Sequence, residues 1–210
     1  RDPIVYLVEP EINPGYEWVF TESGVRAVEK LDGMNVRIQT RKGRLIKIQN
    51  RKNVIDPLQV VRGRNYIIEA VFNAIDKNYV KENGVQDGEV VGPRVQSNPY
   101  QLKKHLWYPF TKSYESLSYN SFYDYDRTFS NWSDWFHNWL MSRFWAKRQE
   151  FGTASIKSKN KVLAEGLVFY RHSHEEHKKH KKMCWRGKLR RDMFSWFFKD
   201  KGIRIEEKIS

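Results

Sequence analysis

The sequence predicts an α+β chain, and three stretches carry that prediction. Residues 36–38 and 45–48 are short apolar runs around Arg41-Lys42-Gly43-Arg44, the pattern of a β-hairpin with glycine available for positive φ. Ile67, Ile68, Val71, Ala74, Ile75 and Val80 fall near one stripe at helical period, which reads as an amphipathic helix over residues 65–80. Between Lys161 and Arg171 the residues Leu163, Glu165, Leu167 and Phe169 alternate with their neighbours, as on one face of a strand. At 210 residues the chain is long enough for one sizeable core, and a single domain is expected.

Taken in order, residues 1–24 hold Pro3, Pro10 and Pro14 among scattered aromatics and read as irregular or edge structure. Residues 28–38 follow as Val-Glu-Lys-Leu-Asp-Gly-Met-Asn-Val-Arg-Ile, with the spacing Lys30-x-Asp32-Gly33-x-Asn35. An Asp-Gly pair between β-type runs predicts a strand, a tight turn and a second strand. That turn presents Lys30 either at the rim of a pocket or as a solvated lysine on a surface hairpin. Asn50-Arg51-Lys52-Asn53 closes the hairpin's second strand, as cations near that pocket or as an ordinary solvated turn.

After the helix, residues 82–87 are turn-rich, and Gly88-Glu89-Val90-Val91-Gly92 reads as a short strand with one carboxylate among apolar neighbours. A carboxylate there needs a partner, because ionised groups are rarely buried alone. The run from Pro93 to Tyr100 is loop-like, with donors suited to a phosphate or ribose. Residues 103–150 form an aromatic-rich interval in which Trp132, Trp135, Phe136, Trp139, Leu140, Arg143 and Phe144 recur at helical spacing, with Ser130 or Asn131 as cap. Such a stripe is either a platform for stacking bases or the core face of a helix, and core packing is the commoner cause.

Glu165 is a second lone acid among apolar neighbours. His172, His174, His177 and His180 run toward Cys184, but spacings of two and three among lysines do not match a structural zinc site, so a solvated, RNA-facing loop is expected rather than a metal site. Lys188-Leu189-Arg190 puts two cations on one strand face, with Arg191 toward the other. No separate domain is expected after it.

Arg and Lys total 38 against 25 acidic residues, a formal charge of +13 that suits a polyanionic partner, nucleic acid above all. No apolar run approaches a membrane span and no signal-peptide pattern opens the chain. Cys184 is the only cysteine, so no intrachain disulfide forms and an intracellular, cytoplasmic location is the default expectation.

In chain order the motifs are Lys30-x-Asp32-Gly33-x-Asn35, Arg51, Gly88-Glu89-Val90-Val91-Gly92, Glu165-Gly166-Leu167-Val168 and Lys188-Leu189-Arg190. This order resembles the covalent nucleotidyltransferases, the ATP-dependent RNA and DNA ligases and the messenger-RNA capping enzymes. Glu29 before the lysine and Asn35 after Asp-Gly look most like the nick-sealing RNA ligase branch, and residues 91–100 are also similar to segments of RNA ligases.

The resemblance implies antiparallel sheets forming an ATP cleft, an ATP-grasp-like arrangement with helices outside. It implies ATP as substrate with Mg²⁺ or Mn²⁺, and RNA bearing 5′-phosphate and 3′-hydroxyl ends as partner. By resemblance Lys30 is the nucleophile that carries AMP, with Lys188 and Arg190 as its cationic companions in catalysis. Glu29, Asn35, Arg51, Glu89 and Glu165 join those three around the nucleotide: Glu89 on the ribose hydroxyls, Arg51 on phosphate or ribose, Glu165 supporting the metal or the lysine, and Asn35 in the later steps. Arg190 stands where many RNA ligases carry lysine. A monomer is expected. The alternatives are an RNA-binding protein with an inactive nucleotide pocket and a GTP-using capping-type enzyme; Asn35 and the missing barrel domain disfavour the latter.

Overall fold

The computed structural model describes residues 7–56, 65–123, 126–148, 162–171 and 186–202. Pro57, Lys161 and the residues of the zinc reading, the histidines from 172 to 180 and Cys184, lie outside them. Among the described residues eight strands form: β1 (Arg26–Lys30), β2 (Met34–Arg41), β3 (Arg44–Asn50), β4 (Val54–Ile55), β5 (Gly84–Val91), β6 (Leu106–Pro109), β7 (Gly166–Tyr170) and β8 (Arg186–Arg190). Every pairing is antiparallel, in a three-stranded sheet β1-β7-β8 and a five-stranded sheet β4-β3-β2-β5-β6. With helices interspersed, the class is α+β, as expected. No helix of the described residues is long and apolar enough to cross a membrane.

The chain divides into two compact units, the first made of residues 1–30, 118–142 and 163–210, the second of residues 31–117 and 143–162. The strand, turn and strand expected across Asp32-Gly33 are present, but the hairpin is corrected here: β1 and β2 do not pair and belong to different sheets. Gly33 is there for close approach instead of a positive φ. A Cβ on it would stand 2.5 Å from the Val90 carbonyl oxygen and 2.6 Å from Glu89 Cγ, contacts no side chain tolerates.

In the first unit the aromatic stripe is core. Trp132, Trp135, Phe136 and Leu140 are buried with Val25, Ala27, Phe122, Leu167 and Phe169, and the Trp132 ring stacks on Phe169 at 5.4 Å. The single helix expected there is broken in three. A helix Phe129–Asp134 passes into a π-helical turn Trp135–Trp139, and Arg143–Lys147 starts a separate helix in the second unit. The wider π turn rotates Trp139 off the stripe, leaving it 60% exposed. The cap is Thr128, whose hydroxyl accepts from the Asn131 amide at 3.3 Å, and neither Ser130 nor Asn131. Residues 1–24 are less irregular than expected, since Trp18–Thr21 is a helical turn that buries Trp18 and Val19 in this core.

In the second unit Val36, Ile38, Ile48 and Val90 are buried in the five-stranded sheet. The helix Asn65–Asp76 buries Ile67, Ala70, Val71 and Ala74. It stops short of Val80 because Asn78 turns to φ +57 and closes a Schellman motif, in which its amide donates to Ile75 and that of Tyr79 to Ala74, both at 2.9 Å. Strand β5 starts at Gly84, earlier than the Gly88 expected, because Val85, Gln86 and Asp87 pair with β2. Gly88 leaves room for the Trp107 indole, which crosses over it to donate to the Val36 carbonyl at 2.9 Å; a Cβ at 88 would meet that ring at 2.6 Å.

Candidate functional site

The site residues expected from sequence fall on both units, and each set is built by its own sheet. In the first unit, register places Lys30 opposite Gly166 and Gly166 opposite Arg190, while Val28, Val168 and Lys188 form the next row. Laterally aligned residues and those two apart share a face, so Lys30, Lys188 and Arg190 stand on one face. At about 4.8 Å between strands, the backbone positions of Lys30 and Arg190 lie roughly 10 Å apart. Gly166 has no room for a side chain: a Cβ would come within 2.2 Å of the Leu189 carbonyl oxygen and 2.7 Å of Arg190 Cα.

The Lys30 Nζ donates to Glu165 Oε2 at 2.5 Å, and both side chains are about a fifth to a quarter exposed, at 24% and 21%. Glu165 is positioned through its backbone, since its carbonyl accepts from the Arg191 amide at 2.9 Å. Arg191 itself turns away, donating to the Phe136 carbonyl at 2.8 Å at the π turn. Burial pushes its guanidinium below the ordinary arginine value. Arg190 pairs with Asp192 at 3.0 Å, and Lys188 is exposed.

Glu29 lies on the opposite face from Lys30, as adjacent strand residues must. It is 2% exposed, and its Oε1 accepts from the Ser142 hydroxyl at 2.5 Å. Met141, next to Ser142, bridges to Leu163, two residues before Glu165. Glu29 therefore braces β1 against the segment that leads to the partner of Lys30.

In the second unit Asn35 on β2 stands directly opposite Glu89 on β5, both half-buried and on one sheet face. Arg51 follows the last residue of β3 and is exposed in a turn organised by Asn50, whose Oδ1 accepts from the amides of Lys52 at 3.0 Å and Asn53 at 2.8 Å. The Asp32-Gly33 corner is held by the loop expected to carry phosphate donors. The Asp32 amide donates to the Tyr100 hydroxyl at 2.8 Å, and Gln96 Nε2 donates to the Gly33 carbonyl at 3.3 Å. Asn98, at φ +48, shapes that loop by a two-way bond with the Leu102 backbone.

Sequence reasoning missed Ser142, Arg191, Tyr100 and Gln96 as supports. Tyr100 and Gln96 left a signal as polar groups in a run already singled out, and Arg191 as a cation set on the face away from Lys188 and Arg190. Among the described residues no group of three or more His, Cys, Asp or Glu side chains forms a ready metal cage.

The sequence profile of the RNA ligase family matches residues 24–184. No curated protein sequence matches the chain. Among solved structures, a substituted form of the Naegleria gruberi RNA ligase with ATP and Mn is similar at 12% identity and a TM-score of 0.48, over 93% of this chain and 58% of that one. The Naegleria gruberi RNA ligase with PPi gives 13% identity and a TM-score of 0.45, over 96% and 59%. The chain thus spans under two thirds of the length of either.

Proposed function

Because the chain belongs to the RNA ligase family, we propose that it is an ATP-dependent RNA ligase that carries AMP on Lys30. The observation that supports this reading most is the Lys30 side chain itself, held 2.5 Å from a carboxylate on a face whose other charged members, Lys188 and Arg190 among them, are cations. An ammonium has no lone pair with which to attack. The Glu165 carboxylate is in place to take the proton that frees one.

Neutral Nζ then attacks the α-phosphorus of ATP. The N–P bond forms as the bond to pyrophosphate breaks, and pyrophosphate leaves with the electron pair. Lys188 and Arg190 supply positive charge for the phosphate oxygens, in a transfer where positioning and electrostatics provide most of the catalysis. Next, a 5′-phosphate oxygen of RNA attacks the same phosphorus and releases Lys30. Last, a 3′-hydroxyl attacks the RNA phosphorus, displaces AMP and closes the phosphodiester.

Glu165 is a single carboxylate, which fits Mg²⁺ or Mn²⁺ held largely by substrate phosphates and water. When bound, such an ion neutralises phosphate charge. Glu89 accepts from ribose hydroxyls, Arg51 contacts phosphate or ribose, and Asn35, opposite Glu89, serves the steps on RNA. Glu29 acts on the nucleotide through Lys30, by fixing β1.

The test is sealing of a nicked duplex with 5′-phosphate and 3′-hydroxyl ends, with ATP and GTP compared. The proposal expects sealing with ATP and a transient adenylylated 5′ end. Product formation with GTP in place of ATP, or RNA binding with no sealing on nicked, tRNA-loop or single-stranded substrates, would overturn it.

A further inference from the structure

We propose that the outward face of β2 and β3 in the second unit is a docking surface for the phosphate backbone of RNA, read by Arg41, Arg44 and Lys47. The proposal rests on the ligase reading for the identity of the polyanion and goes beyond it in locating the contact. Between Asp32 and Asp56 the sequence has seven basic residues and no acid. The fold sorts several of them onto one face. Along β2, Asn35, Arg37, Gln39 and Arg41 alternate with buried Val36, Ile38 and Thr40.

On β3 a register shift at Gln39/Thr40 leaves Gln39 opposite Lys47 and Arg41 opposite Arg44. In a regular strand residues 44 and 47 would point to opposite faces, and the additional residue brings both outward. It leaves Ile46 53% exposed, a poor choice for packing. Arg41 directly faces Arg44, and like charges opposite each other destabilise a sheet. Folding does not ask for this arrangement, whereas a polyanion would relieve it.

The surface is also firmly held. Lys42 and Gly43 both have positive φ, at 50° and 72°, as a tight hairpin turn requires. The Lys42 amide donates to Asn83 Oδ1 at 2.7 Å, and that of Gly43 to the Glu82 carbonyl at 3.0 Å. Arg37, on the same face, is matched by Asp87 at 2.8 Å, so the excess charge belongs to Arg41, Arg44 and Lys47. The face continues along β2 to Asn35, which places the charged strip on the same strand as a residue assigned to the RNA steps.

The experiment compares R41Q/R44Q/K47Q with K103Q/K104Q/K199Q, which removes equal charge from exposed positions elsewhere. Binding of a single-stranded RNA bearing a 5′-phosphate is titrated against salt, and label transfer from α-labelled ATP is read on the same preparations. At a slope of about 0.7 per phosphate contact, three lost contacts lower the salt dependence by about 2 and weaken binding about a hundredfold near 0.1 M salt. The expected result is that loss in the first variant alone, with labelling within about twofold of wild type. Equal losses in both variants, or none in the first, overturn the surface. Failure of wild type to take label overturns the ligase reading instead, and the binding comparison still decides the surface.

Discussion

The two units secure their functional side chains differently. In the first, the groups near Lys30 are gripped from beneath the sheet: Glu29 is buried on Ser142, Arg191 reaches the π turn at Phe136, and an aromatic core lies behind. In the second, Asn35 and Glu89 sit on a sheet face, and the corner before them is held by a loop through Tyr100 and Gln96. The chemistry proposed for one atom, Lys30 Nζ, calls for supports fixed by burial. The recognition proposed for Asn35, Glu89 and Arg51 calls for side chains that stay accessible.

Substitutions in each unit test that contrast. Trp132→Ala removes an indole from the first unit's core and should destabilise the protein by about 3 to 5 kcal/mol. Trp139→Ala, outside the core, should stay within about 0.5 kcal/mol of wild type. Denaturant titration of both decides whether the stripe is core along its whole length. A small loss at Trp132 with weakened RNA binding would instead favour a stacking platform.

Glu29→Gln tests the grip directly. Losing a charge-assisted bond to Ser142 should cost roughly 1.5 to 3 kcal/mol and slow label transfer to Lys30. An unchanged unfolding midpoint would remove the bracing part given to Glu29. A smaller loss than at Glu29 is expected at Tyr100→Phe, which withdraws the acceptor from the Asp32 amide for about 0.5 to 1.5 kcal/mol. A loss as large as that of Glu29→Gln would erase the distinction between the units.

What could be read from sequence follows the range of the forces involved. The β2-β3 hairpin and the helix Asn65–Asp76 are local, and their periodicity announced both. The helix end was readable in principle, because Asn78 favours the left-handed conformation that stops it. The Asp32-Gly33 corner misled because an Asp-Gly pair signals a turn but not which strands it joins. Strand β1 finds β7 across well over a hundred residues of chain. The motif residues were legible as types at spacings, and Lys30 meeting Glu165 accords with that order. The burial of Glu29 was not legible, since it depends on a serine more than a hundred residues away.

Whether Lys30 carries AMP covalently, as proposed, is read from retention of label on the denatured chain after incubation with α-labelled ATP and Mg²⁺. With Lys30 as the carrier, wild type takes label that pyrophosphate releases, and Lys30→Ala takes none. Label that persists on Lys30→Ala would contradict that role.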